Sequence, residues 1–163
     1  MRGKDKETLI QDLLVGQYEK YYRMAYSYVH SESDAQDIVQ EAAYKAIYHA
    51  KKLKDPDFAD TWICRIVINE AMNYIKKNKK TYVELEEVDV GREEVYEDVD
   101  LRAAIDRLSP KDKTIIVLRF FEDMSLEQIA EICDENVNTI KSRLYRTLKK
   151  LKIDLQEEGI VYG

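Results

Sequence analysis

The stretch Met124-Ser125-Leu126-Glu127-Gln128-Ile129-Ala130-Glu131-Ile132-Cys133-Asp134-Glu135-Asn136-Val137-Asn138-Thr139-Ile140-Lys141-Ser142-Arg143-Leu144-Tyr145-Arg146 decides the fold. Ser125 and Gln128 have the spacing of a capping box, in which each side chain takes the other's exposed backbone N–H. A helix therefore starts at Leu126, and its apolar positions carry it to Cys133. Asp134-Glu135-Asn136 interrupts the pattern. A second helix starts near Val137, with Val137, Ile140, Leu144, Leu148 and Leu151 as a narrow apolar stripe. A short helix, a tight turn and a second helix make a helix-turn-helix. In that motif the second helix lies in the DNA major groove, its N-terminal residues at base edges. The face opposite the stripe carries Asn136, Asn138, Thr139, Lys141, Ser142, Arg143, Tyr145 and Arg146. Amides, hydroxyls, guanidinium groups and an aromatic ring are the groups that read bases and grip phosphates. The first turn also offers backbone N–H groups to a phosphate. The plain alternative is a polar helix pair with solvated charges. No acid stands from Asn136 through Leu151, which favours DNA.

Helical periodicity extends upstream. A helix is predicted over 101–108, and Ser109-Pro110 opens another that carries Ile115, Ile116, Leu118, Arg119 and Phe120, because proline is tolerated in a first helical turn. Near the N-terminus, Leu9, Leu13, Tyr21, Tyr22, Ala25 and Val29 predict one or two helices ending near His30. Ser33-Asp34-Ala35-Gln36 has capping-box spacing. Behind it Ala35, Ile38, Val39, Ala42, Ala46 and Leu53 trace a stripe that runs to Lys52. Lys54-Asp55-Pro56-Asp57 breaks it, since the residue before proline disfavours helix. A further helix is predicted over 60–77, with Ile63, Ile66, Val67, Ala71, Tyr74 and Ile75 inward and Trp62 packing the preceding loop. Asn69 and Asn73 stand one turn apart on it and share a face. No repeat of solenoid length occurs.

Composition narrows the classes. The 163 residues include only five Gly and two Pro, so turn-rich sandwiches and glycine-rich phosphate loops are excluded. With 45% apolar and 36% charged residues the chain can build a core. The longest aliphatic run is Ile115 to Leu118, far short of the ~20 residues a membrane span needs. Met1-Arg2-Gly3-Lys4-Asp5-Lys6-Glu7 is charged where a signal peptide is apolar. Cys64 and Cys133, with only His30 and His49, form neither zinc spacing nor a disulfide framework. No catalytic constellation or nucleophile elbow is present, so neither an enzyme nor a cofactor is expected. A cytoplasmic, mainly helical protein with no membrane insertion of its own is expected. The net charge of −6 is unevenly spread: residues 1–80 carry +2, residues 81–100 carry −8, and the rest is neutral. Lys76, Lys77, Lys79 and Lys80 form one basic cluster. Lys141, Arg143, Arg146, Lys149, Lys150 and Lys152 form another. Such clusters are the footprint of phosphate binding or, more simply, solvated helix faces.

These residues resemble a known family. Leu108 to Lys113, Leu118 to Ile132 and Thr139 to Arg146 are similar to region 4 of bacterial sigma-70 family factors, most closely the extracytoplasmic-function (ECF) type. Asp34-Ala35-Gln36-Asp37-Ile38-Val39-Gln40-Glu41 resembles region 2.2, and Phe58, Trp62-Ile63, Arg65-Ile66 and Asn69 resemble the region 2.3–2.4 helix. The resemblance covers most of the chain. It implies an all-α protein of two small helical domains. Residues 1–80 would be the region 2 bundle and 81–100 an acidic flexible linker. Residues 101–155 would be the region 4 helix-turn-helix and 156–163 a tail. It implies core RNA polymerase and promoter DNA as partners, with Asp37, Gln40, Glu41 and Tyr44 on the polymerase.

The resemblance places the −10 element on Lys52, Leu53, Lys54, Phe58, Arg65, Asn69, Asn73, Lys76 and Lys77. Arg119 joins the final helix's polar face on the −35 element. Reading a base in melted DNA requires its removal from the stack into a pocket, with cations along the strand. The resemblance also implies an anti-sigma factor, often membrane-bound, that holds the protein inactive. Three positions depart from the family pattern: Asp134-Glu135 replaces Gly and an apolar residue, Asn138 replaces Gly, and Asn73 replaces Asp. Asp enters a left-handed turn less readily than Gly, and Asn138 could read adenine. A free-standing helix-turn-helix regulator with an N-terminal sensing or dimerising bundle is the alternative. It would bind palindromic half-sites and has no need of the Lys52–Phe58 loop or the Asn69/Asn73 pair.

Overall fold

Four helices build the first half of the chain: α1 (Gly3–Gly16), α2 (Tyr18–Val29), α3 (Glu32–Tyr48) and α4 (Ala59–Lys77). The computed structural model describes the backbone of residues 2–78 and 97–157 and the side chains of 2–78 and 101–152. Residues 81–96 of the expected 81–100 linker, Lys79, Lys80 and residues 158–163 of the expected tail lie outside the described residues, while 97–100 belong to a helix. All regular structure among the described residues is helical. The N-terminal pattern resolves into two helices broken at Gln17, and α2 stops at His30. His30 adopts a left-handed φ of 50° and donates its N–H to the Tyr26 carbonyl.

The cap of α3 is Ser31, two residues before the predicted Ser33: Asp34 N–H donates to Ser31 Oγ at 3.3 Å. Starting there puts Glu32 and Asp34 in the first turn, where acids complement the helix dipole. At its other end α3 stops at Tyr48, and Ala50–Lys52 tighten into a 3₁₀ turn. Asp55 then accepts the Asp57 N–H, and a second 3₁₀ turn, Pro56–Phe58, delivers the chain to α4.

Helices α2, α3 and α4 pack on one another, and α1 lies against α3, α4 and the Ala50–Lys52 turn. Ile10, Tyr21, Met24, Ile38, Ile63 and Val67 are all below 3% exposed. Burial of each large apolar side chain contributes about 1.5–3 kcal/mol. One polar anchor sits among them. The Tyr21 hydroxyl donates to Asp60 Oδ1 at 2.6 Å, and the Lys20 ammonium pairs with the other carboxylate oxygen. This ties the start of α4 to α2.

The chain divides after Lys77, and the second unit has its own core. The described helices beyond Lys77 are α5 (Glu97–Asp106), α6 (Pro110–Ile116), α7 (Leu126–Cys133) and α8 (Val137–Glu157). Helix α5 begins four residues before its predicted start. Ser109 caps α6 by accepting the Asp112 N–H at 3.3 Å, with Pro110 in the first turn. Lys113 is buried against Asp106, N to O 2.9 Å. Helix α6 widens into one π turn, Val117–Phe121, in which the Glu122 N–H reaches the Val117 carbonyl. Helices α5 and α6 pack on α8.

Burial is the main cause, and the bond to Asp60 the next, of a Tyr21 pKa held well above its ordinary 10.0. A folded-state value above the unfolded one gives stability that is full below pH 10 and is lost as pH rises beyond it. Tyr21→Phe should cost about 0.5–1.5 kcal/mol at pH 7 in urea titrations. It should also flatten the loss of stability that wild type shows above pH 10. An unchanged alkaline slope would remove Tyr21 from that role.

Candidate nucleic-acid interface

The turn between α7 and α8 sets the direction of the last helix. Ser125 and Gln128 exchange their two bonds, Gln128 Oε1 accepting the Ser125 N–H at 2.9 Å and Ser125 Oγ accepting the Gln128 N–H at 3.1 Å. Asp134 adopts φ 54°, and the Glu135 N–H reaches back to the Ala130 carbonyl at 3.0 Å. This is the helix-ending motif that usually recruits Gly, here filled by an Asp able to tolerate the left-handed region. Asn136 then caps α8: its Oδ1 accepts the Asn138 N–H at 2.8 Å. That bond occupies the side-chain carbonyl of Asn136 and one of the first-turn N–H groups. Asn136, expected on the −35 element, is here the helix cap, and it stays exposed.

Ile140, Leu144 and Leu151 of α8 are buried, while Val137 and Leu148 are half-buried. Thr147, between them at helical spacing, takes a core position that its polarity had hidden. Asn138, Thr139, Lys141, Ser142, Tyr145 and Arg146 are exposed and Arg143 is half-buried. At 100° per residue, Asn138, Ser142 and Lys149 run down the centre of the exposed face. Lys141, Tyr145 and Lys152 line one flank; Thr139, Arg143, Arg146 and Lys150 line the other. Lys149 belongs to this surface by its seven-residue spacing from Ser142. Arg119 is not part of it by geometry: its guanidinium donates to the Met124 carbonyl at 2.9 Å and braces the segment leading into α7. Arg119, expected on the −35 element, makes this bracing bond in the structure.

A second polar face lies on α4. Asn69, Asn73, Lys76 and Lys77 are exposed and Arg65 is half-buried, all on the side away from Ile63, Val67 and Ala71. Trp62, read as core, is half-buried on this same side, one or two turns before Asn69. Its spacing to Asn69 and Asn73 was the available signal. In the preceding loop Lys52 and Lys54 are exposed, and the Phe58 ring is 52% exposed. Leu53 is only 2% exposed, so its side chain packs the loop onto the bundle and presents nothing outward. That corrects its expected role at a base.

On α3, Asp37, Gln40, Glu41 and Tyr44 form one exposed face, on the side opposite Ala35, Val39, Ala42 and Ala46. Tyr44 is 64% exposed and stacks on Tyr48 with centroids 6.1 Å apart. Beside them Gly3, Lys4, Ile47 and Lys51 complete a groove of about 540 Å³. Among the described residues no group of three or more His, Cys, Asp or Glu is arranged to hold a metal ion.

Comparison with known proteins accounts for both units. The family described as Sigma-70 region 2 matches residues 14–81, and Sigma-70, region 4 matches residues 98–151. The chain is 41% identical to the RNA polymerase sigma factor SigV of Bacillus subtilis, across 96% of this chain and 99% of that one. It is 31% identical to the ECF RNA polymerase sigma-E factor of Haemophilus influenzae, across 89% and 87%. The sigma factor RpoE of Bartonella quintana, solved in complex with the anti-sigma factor NepR, shares the fold. Its TM-score is 0.69 at 22% identity, covering 90% of this chain and 96% of that one. CnrH, solved with the cytosolic domain of CnrY, gives 0.68 at 22%, covering 91% and 88%.

Asn136→Ala should lower the stability of the second unit by about 0.5–2 kcal/mol in chemical unfolding, and Asn136→Asp should retain most of it. Equal stability of the Ala variant would return Asn136 to the surface set.

Proposed function

We propose, from the premise that this chain belongs to the sigma-70 family of RNA polymerase sigma factors and to its ECF group, a division of labour among three surfaces. The exposed face of α3 docks on core RNA polymerase. The exposed face of α4 and the Lys52–Phe58 loop hold the −10 element as it opens. Helix α8 lies in the major groove of the −35 element. The chain directs promoter recognition and initiation and carries out no reaction of its own.

The observation that carries this reading is the outward exposure of Asn69 and Asn73, one turn apart on α4. A regulator that only bound duplex DNA through α8 would leave that face, and the exposed Phe58 before it, without a task. Extruding a base costs a few kcal/mol. The amides supply hydrogen bonds to a flipped base, and Phe58 and Trp62 supply aromatic surface. Lys52, Lys54, Lys76 and Lys77 supply charge for the strand. On α8, basic side chains on both flanks suit a helix with a phosphate backbone on either side, and Asn138 and Ser142 face the groove floor. The acidic face of α3 suits a cationic partner surface.

No described helix is long and apolar enough to cross a membrane, and the reading places the protein's work in the cytoplasm. The two structural neighbours were each solved with a partner, one an anti-sigma factor and one a cytosolic domain. We extend to this chain an anti-sigma partner, membrane-anchored in the form the family resemblance implies.

Two substitutions separate the surfaces. Arg146→Ala should weaken binding to −35 duplex by about 1–3 kcal/mol if Arg146 meets a base, or lower the salt slope by about one if it meets phosphate. Asn69→Ala should leave −35 binding intact and reduce promoter opening, followed by permanganate reactivity of −10 thymines. Normal opening by Asn69→Ala would remove the pocket from α4, and unchanged affinity and salt slope would remove Arg146 from DNA.

A further inference from the structure

Side-chain bonds join α4 to α3, and two of them come from the residues that directly follow the exposed asparagines. Glu70 follows Asn69, and its carboxylate pairs with the Lys45 ammonium. Tyr74 follows Asn73, and its hydroxyl donates to Asp34 Oδ1 at 2.7 Å. On α4 the two ties are one turn apart. On α3 their partners are eleven residues apart, roughly 16 Å along the helix. Sliding α4 along α3, or rolling it about its own axis, would break at least one. Asp34 and Lys45 lie on the flank of α3 beside Glu41, at the edge of the face that carries Asp37, Gln40 and Tyr44. Glu70 is 13% exposed in its side chain, so its charge is largely removed from water and depends on Lys45. The bond to Glu70 is also the main cause of a raised Lys45 pKa, which favours the charged ammonium.

We infer that Tyr74 and Glu70 are positioning residues that set the register of the α4 reading face against the α3 docking face, so that binding at α3 presents Asn69 and Asn73 at a fixed place. This rests on the proposed assignment of those two faces. Neither residue touches DNA or polymerase. Each acts through the asparagine beside it. Their apolar and aliphatic parts pack regardless, so the register, rather than the fold, is what the polar bonds determine.

The test uses the full chain with core polymerase. Tyr74→Phe removes only the hydroxyl, and Glu70→Gln removes only the charge. Both variants should bind core polymerase and −35 duplex within about twofold of wild type, whereas open-complex formation at saturating sigma falls about two- to tenfold. Discrimination between the preferred −10 base and its substitutions should shrink as well, because a misplaced asparagine reads any base poorly. A purely structural role would lower the thermal midpoint and core affinity together and leave that discrimination unchanged. The exchange Lys45→Glu with Glu70→Lys should restore opening. Unchanged opening and discrimination in both single variants, while Asn69→Ala is defective, would overturn the register and keep the pocket. Normal opening in Asn69→Ala would overturn the pocket itself.

Discussion

Helix α4 has to be packed on one side and bare on the other. Nineteen residues hold Ile63, Cys64, Val67, Ile68 and Ala71 in the core and Asn69, Asn73 and Lys76 in solvent. The rest of the first unit serves that division. Helices α2 and α3 cover the apolar side. Asp60 fixes the start of α4 through Tyr21 and Lys20, and Glu70 and Tyr74 fix its later turns. Leu53 packs the preceding loop so that Lys52, Lys54 and Phe58 stand beside the bare face. On the proposed reading, a helix held at three points loses little further freedom when a strand binds, so more of the binding energy remains to offset unstacking.

The second unit solves a different problem with the same means. A recognition helix needs a rigid angle rather than a deep pocket. The reciprocal Ser125/Gln128 cap, the left-handed Asp134, the Asn136 cap and the Arg119 brace together fix that angle. On the proposed reading Asp134 and Glu135 lie next to a phosphate-facing surface, and their repulsion opposes duplex binding by that unit alone. On the same reading tethering to polymerase compensates, because a linked second contact is made at high effective concentration.

Much of this was legible from spacing. The helix-turn-helix, the Ser125/Gln128 and Ser109 caps and the stripes of α3, α4 and α8 follow from periodicity and cap chemistry alone. Other features depend on contacts that spacing does not encode. Ser31 and Ser33 both stand three residues before a polar side chain, so spacing does not choose between them; Asp34, in the first turn that Ser31 caps, also accepts the Tyr74 hydroxyl from forty residues away. Leu53 packs inward and Trp62 is half-buried, because their burial depends on tertiary contacts that spacing does not encode. Asn136 and Arg119 carry side chains suited to DNA, and each also bonds a backbone group at a turn, a contact that spacing does not encode. Thr147 is buried because helical geometry puts it between Leu144 and Leu151, whatever its polarity. The π turn at Val117–Phe121 has no sequence signal that we recognise.

Association with core RNA polymerase tests the central claim most directly. The purified chain, free of any inhibitor and shown to be folded, is mixed with core enzyme and passed over a sizing column. The account predicts one-to-one co-elution, weakened by charge reversal at Asp37 and Glu41 on α3. Independent elution of the two would contradict it and leave α8 as the DNA-binding helix of an autonomous regulator.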